Sequence, residues 1–306
     1  MTILSSAFSL RGDTWPARDA CPGLPGPLGF TAVTPQITIA GASSPRLEEL
    51  DVSSNDISAA GAQALGTGLA ACTALRRLAL RDNPLGDAGL SAALGALSRR
   101  GPAPQPPPLD LEASGCGLGL EAGAALAASL SGGVRLGALD LGGNPHLRGS
   151  TLTSLAAAAA PVARLDLSGC AQALRDAATG EVDPAALQAL ASLPGLRHLT
   201  LFHCGLAAAG ATDLRAVMAQ PGAFAELAYL DLGGNDLHVE PLLALLRALG
   251  SSPELCPSLE TLVVGGNPGL EDGQEEFAQA REDLFDSRPG LDIAWRAAGG
   301  GQPQPE

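Results

Sequence analysis

Lysine is absent from this chain of 306 residues, and all 18 basic side chains are arginine. Against them stand 32 acidic residues, for a formal net charge of −14. A general nucleic-acid binder carries the opposite sign, so that class is set aside. The acidic balance favours solubility and basic partners and does not bear on the fold. Alanine, glycine and proline are plentiful beside the arginine. All have GC-rich codons, which fits a GC-rich genome such as a green alga's; selection against lysine modification is the other explanation.

Aromatic residues make up only 3% of the chain, with a single tyrosine, so an aromatic side chain on an open surface stands out. Long hydrophobic runs are also missing. A membrane-spanning helix needs roughly 18 or more apolar residues, and no such run occurs without polar breaks. The opening MTILSSAFSLRGD lacks a basic n-region and an A-x-A-like cleavage site, so a secretory signal is not expected. Arg11 and Arg18 among serine and alanine make a transit peptide the second reading. The six cysteines contain no C-x-x-C pair, so zinc and redox chemistry are not expected and a reduced intracellular compartment is. No nucleophile elbow, P-loop or histidine-rich metal spacing is present. No enzyme activity, cofactor or metal site is therefore expected.

What is present is a repeat. In LEELDVSSNDI (Leu47 to Ile57) the apolar residues are spaced three, two and five apart. Position for position the pattern recurs in LRRLALRDNPL from Leu75, LRHLTLFHCGL from Leu196 and LAYLDLGGNDL from Leu227. Looser copies begin at Leu136, Val162 and Leu259, and a degenerate one ends at Leu118. Asparagine or cysteine occupies residues 55, 83, 116, 144, 170, 204, 235 and 267, at spacings of 28, 33, 28, 26, 34, 31 and 32. Strand side chains alternate, so Leu50 and Val52 point inward and Asp51 outward. The Asn comes where the chain turns away from the strand, and its side chain can satisfy the backbone of neighbouring turns. Cysteine is a small apolar substitute with a weak donor. Between the strands, Leu65 and Leu69 lie four apart, as a buried helical stripe requires. Gly61 and Gly89 recur at one phase, which predicts close helix packing.

The pattern L-x-x-L-x-L-x-x-N/C-x-L is that of the leucine-rich repeat. A period near 28 to 33, with a helix in every unit, resembles the ribonuclease-inhibitor-like class, over about residues 45 to 295. The resemblance implies an α/β solenoid, a curved horseshoe with a parallel sheet on the concave face and helices outside. Each repeat then rests on its neighbours. The expected organisation is an irregular tail or cap over 1–36, a repeat domain over 37–296 and a disordered tail over 297–306. The repeat domain holds about eight repeats and a capping strand. QITIAG (residues 36–41) is expected to cap the first repeat. Leu291 and Ile293 mimic the paired strand leucines, and Trp295 is expected to close the core behind them. GLEDGQEEFAQAREDLF, Gly269 to Phe285, reads as a terminal helix. Two insertions stand out: the proline run RRGPAPQPPP from Arg99, a spacer or a ligand for a proline-binding domain, and RDAATGEVDPA from Arg175, expected to overhang the concave rim.

The strand register names the residues that face outward. A central acidic stripe runs through Asp51, Glu112, Asp140, Asp166 and Asp231, either solubilising the sheet or attracting a basic partner segment. Beside it lies a mixed patch of His198, Phe202 and Tyr229, with Arg164 one strand away. Tyrosine and arginine are enriched in binding hot spots. The expected function is thus a non-catalytic protein-interaction scaffold that binds a basic or mixed-charge protein on its concave face. It would be cytoplasmic, or cytoskeletal or ciliary as a structural subunit of a large axonemal or other cytoskeletal assembly, since ribonuclease-inhibitor-like repeats occur there. The alternative is a small-GTPase regulator, because Ran GTPase-activating proteins resemble this chain in repeat type and carry an acidic C-terminal region.

Overall fold

Each L-x-L triplet forms a short strand, and each alanine- and leucine-rich stretch after it forms a helix. The computed structural model describes residues 9–11, 46–100 and 107–295. Its strands are β1 (Ser9–Arg11), β2 (Glu49–Asp51), β3 (Arg77–Ala79), β4 (Leu109–Glu112), β5 (Leu136–Asp140), β6 (Arg164–Asp166), β7 (His198–Thr200), β8 (Tyr229–Asp231), β9 (Thr261–Val263) and β10 (Asp292–Ala294). The helices are α1 (Ala59–Leu69), α2 (Gly86–Ser98), α3 (Ala122–Ser131), α4 (Gly149–Ala157), α5 (Pro184–Ala191), α6 (Ala207–Met218), α7 (Val239–Ser251), α8 (Gly269–Asp272) and α9 (Gln274–Ser287).

The strands form one sheet in sequence order. From β2 to β10 neighbours are parallel, which makes the chain an α/β leucine-rich-repeat solenoid. Only β1 runs antiparallel, pairing Leu10 with Leu50. A three-residue strand from the first dozen residues thus covers the edge that β2 would otherwise leave open. The QITIAG segment expected in that role lies outside the described residues, as do Cys21, residues 101–106 of the proline run and the tail from residue 296.

Between sheet and helices lies a single slab of leucine. Leu50, Leu78, Leu111, Leu139, Leu165, Leu199, Leu230 and Leu262 stack behind the sheet, each at most 1% exposed. The helices add the facing layer, with Leu65, Leu94, Leu126, Leu155, Leu190, Leu214 and Leu246 all fully buried. Successive helices from α1 to α7 pack side by side. The repeated glycine near the helix start is explained by crowding. A Cβ on Gly89 would lie 3.2 Å from the Cα of Ala59 in the preceding helix, and one on Gly123 only 2.6 Å from the Cα of Thr151. Gly61 instead makes room for Ile57 of its own repeat, 2.9 Å away.

The Asn/Cys positions tie the turns together. Asn83 Oδ1 accepts the N–H groups of Asn55 and Ile57 at 3.0 and 2.8 Å, while its Nδ2 donates to the carbonyls of Val52 and Leu80. Asn144 does the same for Cys116, Leu118, Ala113 and Leu141. Where cysteine replaces asparagine, Sγ reaches back to one carbonyl of the preceding turn. Cys116 bonds Leu80 O, Cys170 Leu141 O and Cys204 Leu167 O, each at 3.1 Å. A thiol lacks the paired acceptor that an amide oxygen offers, and the preceding turn adjusts. Leu85 N–H bonds Asn83 O at 2.7 Å, and Leu147 N–H bonds Asn144 O at 3.0 Å.

Three expectations are corrected. Trp295 is 46% exposed. Strand β10 stops at Ala294, and the end of the core is already filled by Phe277 of α9, against which Trp295 rests edge-on at 5.8 Å. The 175–185 insertion does not overhang the strand face. A 3₁₀ turn, Ala171–Leu174, precedes it. The loop then closes on itself through Arg175 and Val182, and Arg175 donates to Gly180 O and Gly205 O, both at 2.6 Å. Val182 packs where a Cβ on Gly210 of α6 would sit. The expected terminal helix is broken at Gly273 into α8 and α9.

Replacing Leu139 or Leu167 by aspartate would bury an unpaired charge, and the expected outcome is loss of the cooperative thermal transition. Asn144→Ala would orphan two buried N–H donors and two carbonyls, a cost of about 3 kcal/mol or more. Asn144→Cys keeps one of those carbonyl bonds, so urea denaturation should place it between Asn144→Ala and the parent.

Candidate functional site on the strand face

The parallel register sorts the outward side chains into rows across the strands, which lie about 4.8 Å apart. One row runs Glu49, Arg77, Asp110, Ala138, Arg164, His198, Tyr229, Thr261. The next runs Asp51, Ala79, Glu112, Asp140, Asp166, Thr200, Asp231, Val263. The acidic stripe therefore has gaps. Ala79 separates Asp51 from the rest and Thr200 separates Asp231, leaving Glu112, Asp140 and Asp166 contiguous.

These carboxylates differ in what they are free to do. Glu112 is occupied: Arg77 Nε donates to its Oε1 at 2.7 Å, Arg77 Nη2 to its Oε2 at 3.1 Å, and Arg81 pairs with it too. Arg77 also faces Glu49 at 3.9 Å, and its guanidinium is held more firmly protonated by the Glu112 bond. Asp51 is pushed up by burial, but the Ser53 N–H at 3.0 Å and the nearby Arg77 and Arg81 outweigh this and leave its carboxyl below the usual value. Asp140 and Asp231 go the other way. Burial raises both, and the charge of Asp166 raises them further, against the opposing bonds from the Gly142 and Gly233 N–H groups and, for Asp140, the Ser114 side chain and the charge of Arg81. Among the described residues no guanidinium lies within ion-pair distance of Asp140, Asp166 or Asp231.

The aspartate of the LDL triplet also has a structural task. Oδ1 of Asp140, Asp166 and Asp231 accepts the N–H two residues on at 2.8 to 2.9 Å, which fixes the turn that leaves the strand.

His198 and Tyr229 stack across β7 and β8, with ring centroids 5.9 Å apart and planes 28° from parallel. Burial and then the neighbouring Arg164 and Arg197 lower the His198 pKa, which favours the neutral ring in the stack. Phe202 is 40% exposed and lies across Gly233, where a Cβ would come within 2.9 Å of its ring. It meets His203 edge-on at 4.2 Å. The 175–185 loop, packed toward α6, leaves Phe202 uncovered.

Six of the predicted residues converge. A hollow of about 440 Å³ is lined by Glu112, Asp140, Asp166, Arg164, His198 and Tyr229, together with Arg81 and Thr200. Asp51, Phe202 and Asp231 lie outside it. Arg81 was missed by sequence reasoning because its strand position alone does not reveal its Glu112 partner. Arg164 faces Asp110 at 3.6 Å, one strand beyond its immediate neighbour. The chemistry gathered here is recognition by charge and aromatic stacking. Burial pushes the thiols of Cys116 and Cys170 to about 11 and those of Cys204 and Cys256 to about 12, so none supplies a thiolate near neutral pH.

A pH prediction follows from the raised carboxylates. A carboxyl whose folded pKa exceeds its unfolded value adds stability below the unfolded value and loses it as pH rises through the folded one. Asp140→Asn keeps the acceptor for Gly142 and removes the repulsion from Asp166. Its melting temperature should exceed the parent's at neutral pH, and the difference should vanish on acidification to about pH 4.

Comparison with known proteins bears on the fold. Two stretches, residues 43–66 and 71–92, match the family model described as Leucine Rich repeat. No curated protein gives a significant match. Among solved structures, one described as "Crystal structure of Rad7 and Elc1 complex in yeast" aligns with 82% of this chain and 74% of that one, at 16% identity and a TM-score of 0.34. A likeness that distant says nothing about partners. The two matched stretches contain the first two parallel strands, β2 and β3, with most of α1 and the first half of α2, and the same leucine and Asn/Cys pattern continues to β9 as a leucine-rich-repeat solenoid.

Proposed function

We propose that this protein is a non-catalytic protein-interaction scaffold that binds a partner protein on its strand face. The observation that carries the reading is the hollow where Asp140 and Asp166 stand side by side against the His198–Tyr229 stack. Two adjacent carboxylates without a guanidinium partner favour a lysine or arginine from outside, and the aromatic rings beside them accept its aliphatic stem or an apolar neighbour. Asp231 and Phe202 extend the surface toward the following repeat. The groups are already held by backbone bonds and stacking, so little ordering entropy is lost on binding. Asp51 and Glu112, neutralised by Arg77 and Arg81, form the quieter end of the face.

The partner class is a basic or mixed-charge protein segment, and the domain offering the site is the solenoid over 37–296. The period and the helix in each unit support the ribonuclease-inhibitor-like subclass. A structural subunit of an axonemal or other cytoskeletal assembly, with a ciliary or cytoskeletal location, is the narrower form of the proposal. No described helix is long and apolar enough to cross a membrane. The GTPase-regulator alternative finds less support on this face. An arginine supplied to a phosphoryl group must be free to reach it, whereas Arg77, Arg81 and Arg164 all face carboxylates.

The test is an affinity pull-down from the native source at low and moderate salt, read by mass spectrometry, with parent and Phe202→Ala/Tyr229→Ala protein. Both side chains are partly exposed, so the double variant should melt like the parent. Loss of two aromatic anchors should weaken partner binding about ten-fold or more, and added salt should weaken it for the parent. Unchanged capture by the variant refutes the site. Stimulated GTP hydrolysis by a small GTPase would replace the scaffold reading with the alternative.

A further inference from the structure

The two ends of the sheet are finished differently. At the N-terminal end, β1 lies antiparallel on β2. At the other end β10 is the last strand, and no described residue pairs with its outer side. Asp292 and Ala294 direct their backbone groups to the sheet: Asp292 N–H bonds Glu260 O at 2.8 Å, and Ala294 O accepts from Val264 N–H at 2.9 Å. Backbone groups alternate sides along a strand, so the N–H and carbonyl of Ile293 face the open edge. Such an edge is a template for another strand, and proteins ordinarily blunt it with charge, proline or a cover.

Here charge is present at the edge, but large apolar side chains stand exposed beside it. Phe285 of α9 is 61% exposed and Trp295 46%. Beside the edge is a hollow of about 470 Å³ with Phe285, Leu291 and Ile293 as its apolar part and Arg281, Glu282, Asp286 and Asp292 around it. The one guanidinium among the described lining residues, that of Arg281, lies over the Trp295 ring at 5.4 Å. Among the described residues the rim is therefore net acidic by two charges, counting Glu282, Asp286 and Asp292 against Arg281. That sign decides the occupant. Two copies meeting edge to edge would bring acidic rims together, on chains that each carry −14.

We propose that the β10 edge is a second docking site, which takes an extended segment of a partner protein carrying arginine or lysine alternating with apolar residues. The segment adds an eleventh strand to the ten-stranded sheet. Its backbone bonds Ile293, one set of side chains covers Phe285 and Leu291, and its cations meet Glu282, Asp286 and Asp292. Main-chain bonds give affinity in such strand addition, and the side-chain pockets give specificity. The site is independent of the strand-face hollow.

The test uses the full chain and a fluorescent synthetic peptide of alternating arginine and valine, followed by polarisation. Three variants are compared: Ile293→Pro, which removes the outward N–H; Phe285→Arg, at an exposed position; and Tyr229→Ala, in the other hollow. The parent should bind the peptide, and should not bind a counterpart with glutamate in place of arginine. Phe285→Arg and Ile293→Pro should each weaken binding about ten-fold, and Tyr229→Ala should leave it unchanged. Should Ile293→Pro melt early, Phe285→Arg, with an unchanged melting curve, decides alone. Equal binding by parent and Phe285→Arg, or no binding at millimolar peptide, overturns the proposal. So does a concentration-dependent dimer of the parent that Phe285→Arg abolishes, which makes a second copy the occupant. Binding that appears only after deletion of residues 296–306 makes that segment the occupant and also overturns it.

Discussion

The fold depends on satisfying a buried backbone turn once per repeat. The chain must leave each strand while still inside the solenoid, where its N–H and carbonyl groups are out of reach of water. An asparagine amide offers one acceptor and two donor hydrogens at a fixed geometry, and Asn83, Asn144, Asn235 and Asn267 use both to join successive turns. Those residues are at most 2% exposed. The leucines supply the burial energy, but leucine alone would not fix the register of one turn on the next. The amides do, and the straight rows of side chains on the open face follow from that register.

This explains how much was legible in the sequence. Leucine spacing encodes the strands and the inward stripe, because alternation in a strand leaves no choice of side. The outward rows were legible for the same reason, including the gaps at Ala79 and Thr200. Pairings between rows were not. Arg77 reaches diagonally to Glu112, and Arg164 reaches past Ala138 to Asp110; these choices depend on side-chain length and on which neighbours are small. The ends were least legible. Strand β1 carries no repeat signature, since a cap needs only backbone pairing and any short extended segment supplies that. Trp295 continues the inward alternation of Leu291 and Ile293 in sequence, yet Phe277 arrives from a helix to fill the same space.

The aspartates of the LDL triplets join architecture to recognition. One carboxylate oxygen is bonded to the turn, which is why the residue suits the repeat whatever the protein does. The same bond holds the other oxygen still. Where arginine stands nearby, as around Glu112, the face is internally neutralised. Asp140 and Asp166 have no guanidinium within ion-pair range among the described residues, although Arg81 acts on Asp140 from farther off, and their mutual repulsion is a local cost that an incoming cation would relieve. Strength of fold and readiness to bind therefore come from one side chain at these positions.

The ladder thiols have a further consequence. Cys116, Cys170 and Cys204 are sealed in three separate sections of the solenoid, with Cys72 and Cys256 buried toward either end. A modifying reagent can reach each one only when the surrounding turns separate. The rate at which each cysteine is alkylated in the native protein is thus a local clock for the opening of its own section. Five such clocks, spread from one end to the other, would show whether the array breathes from its tips or yields as a whole.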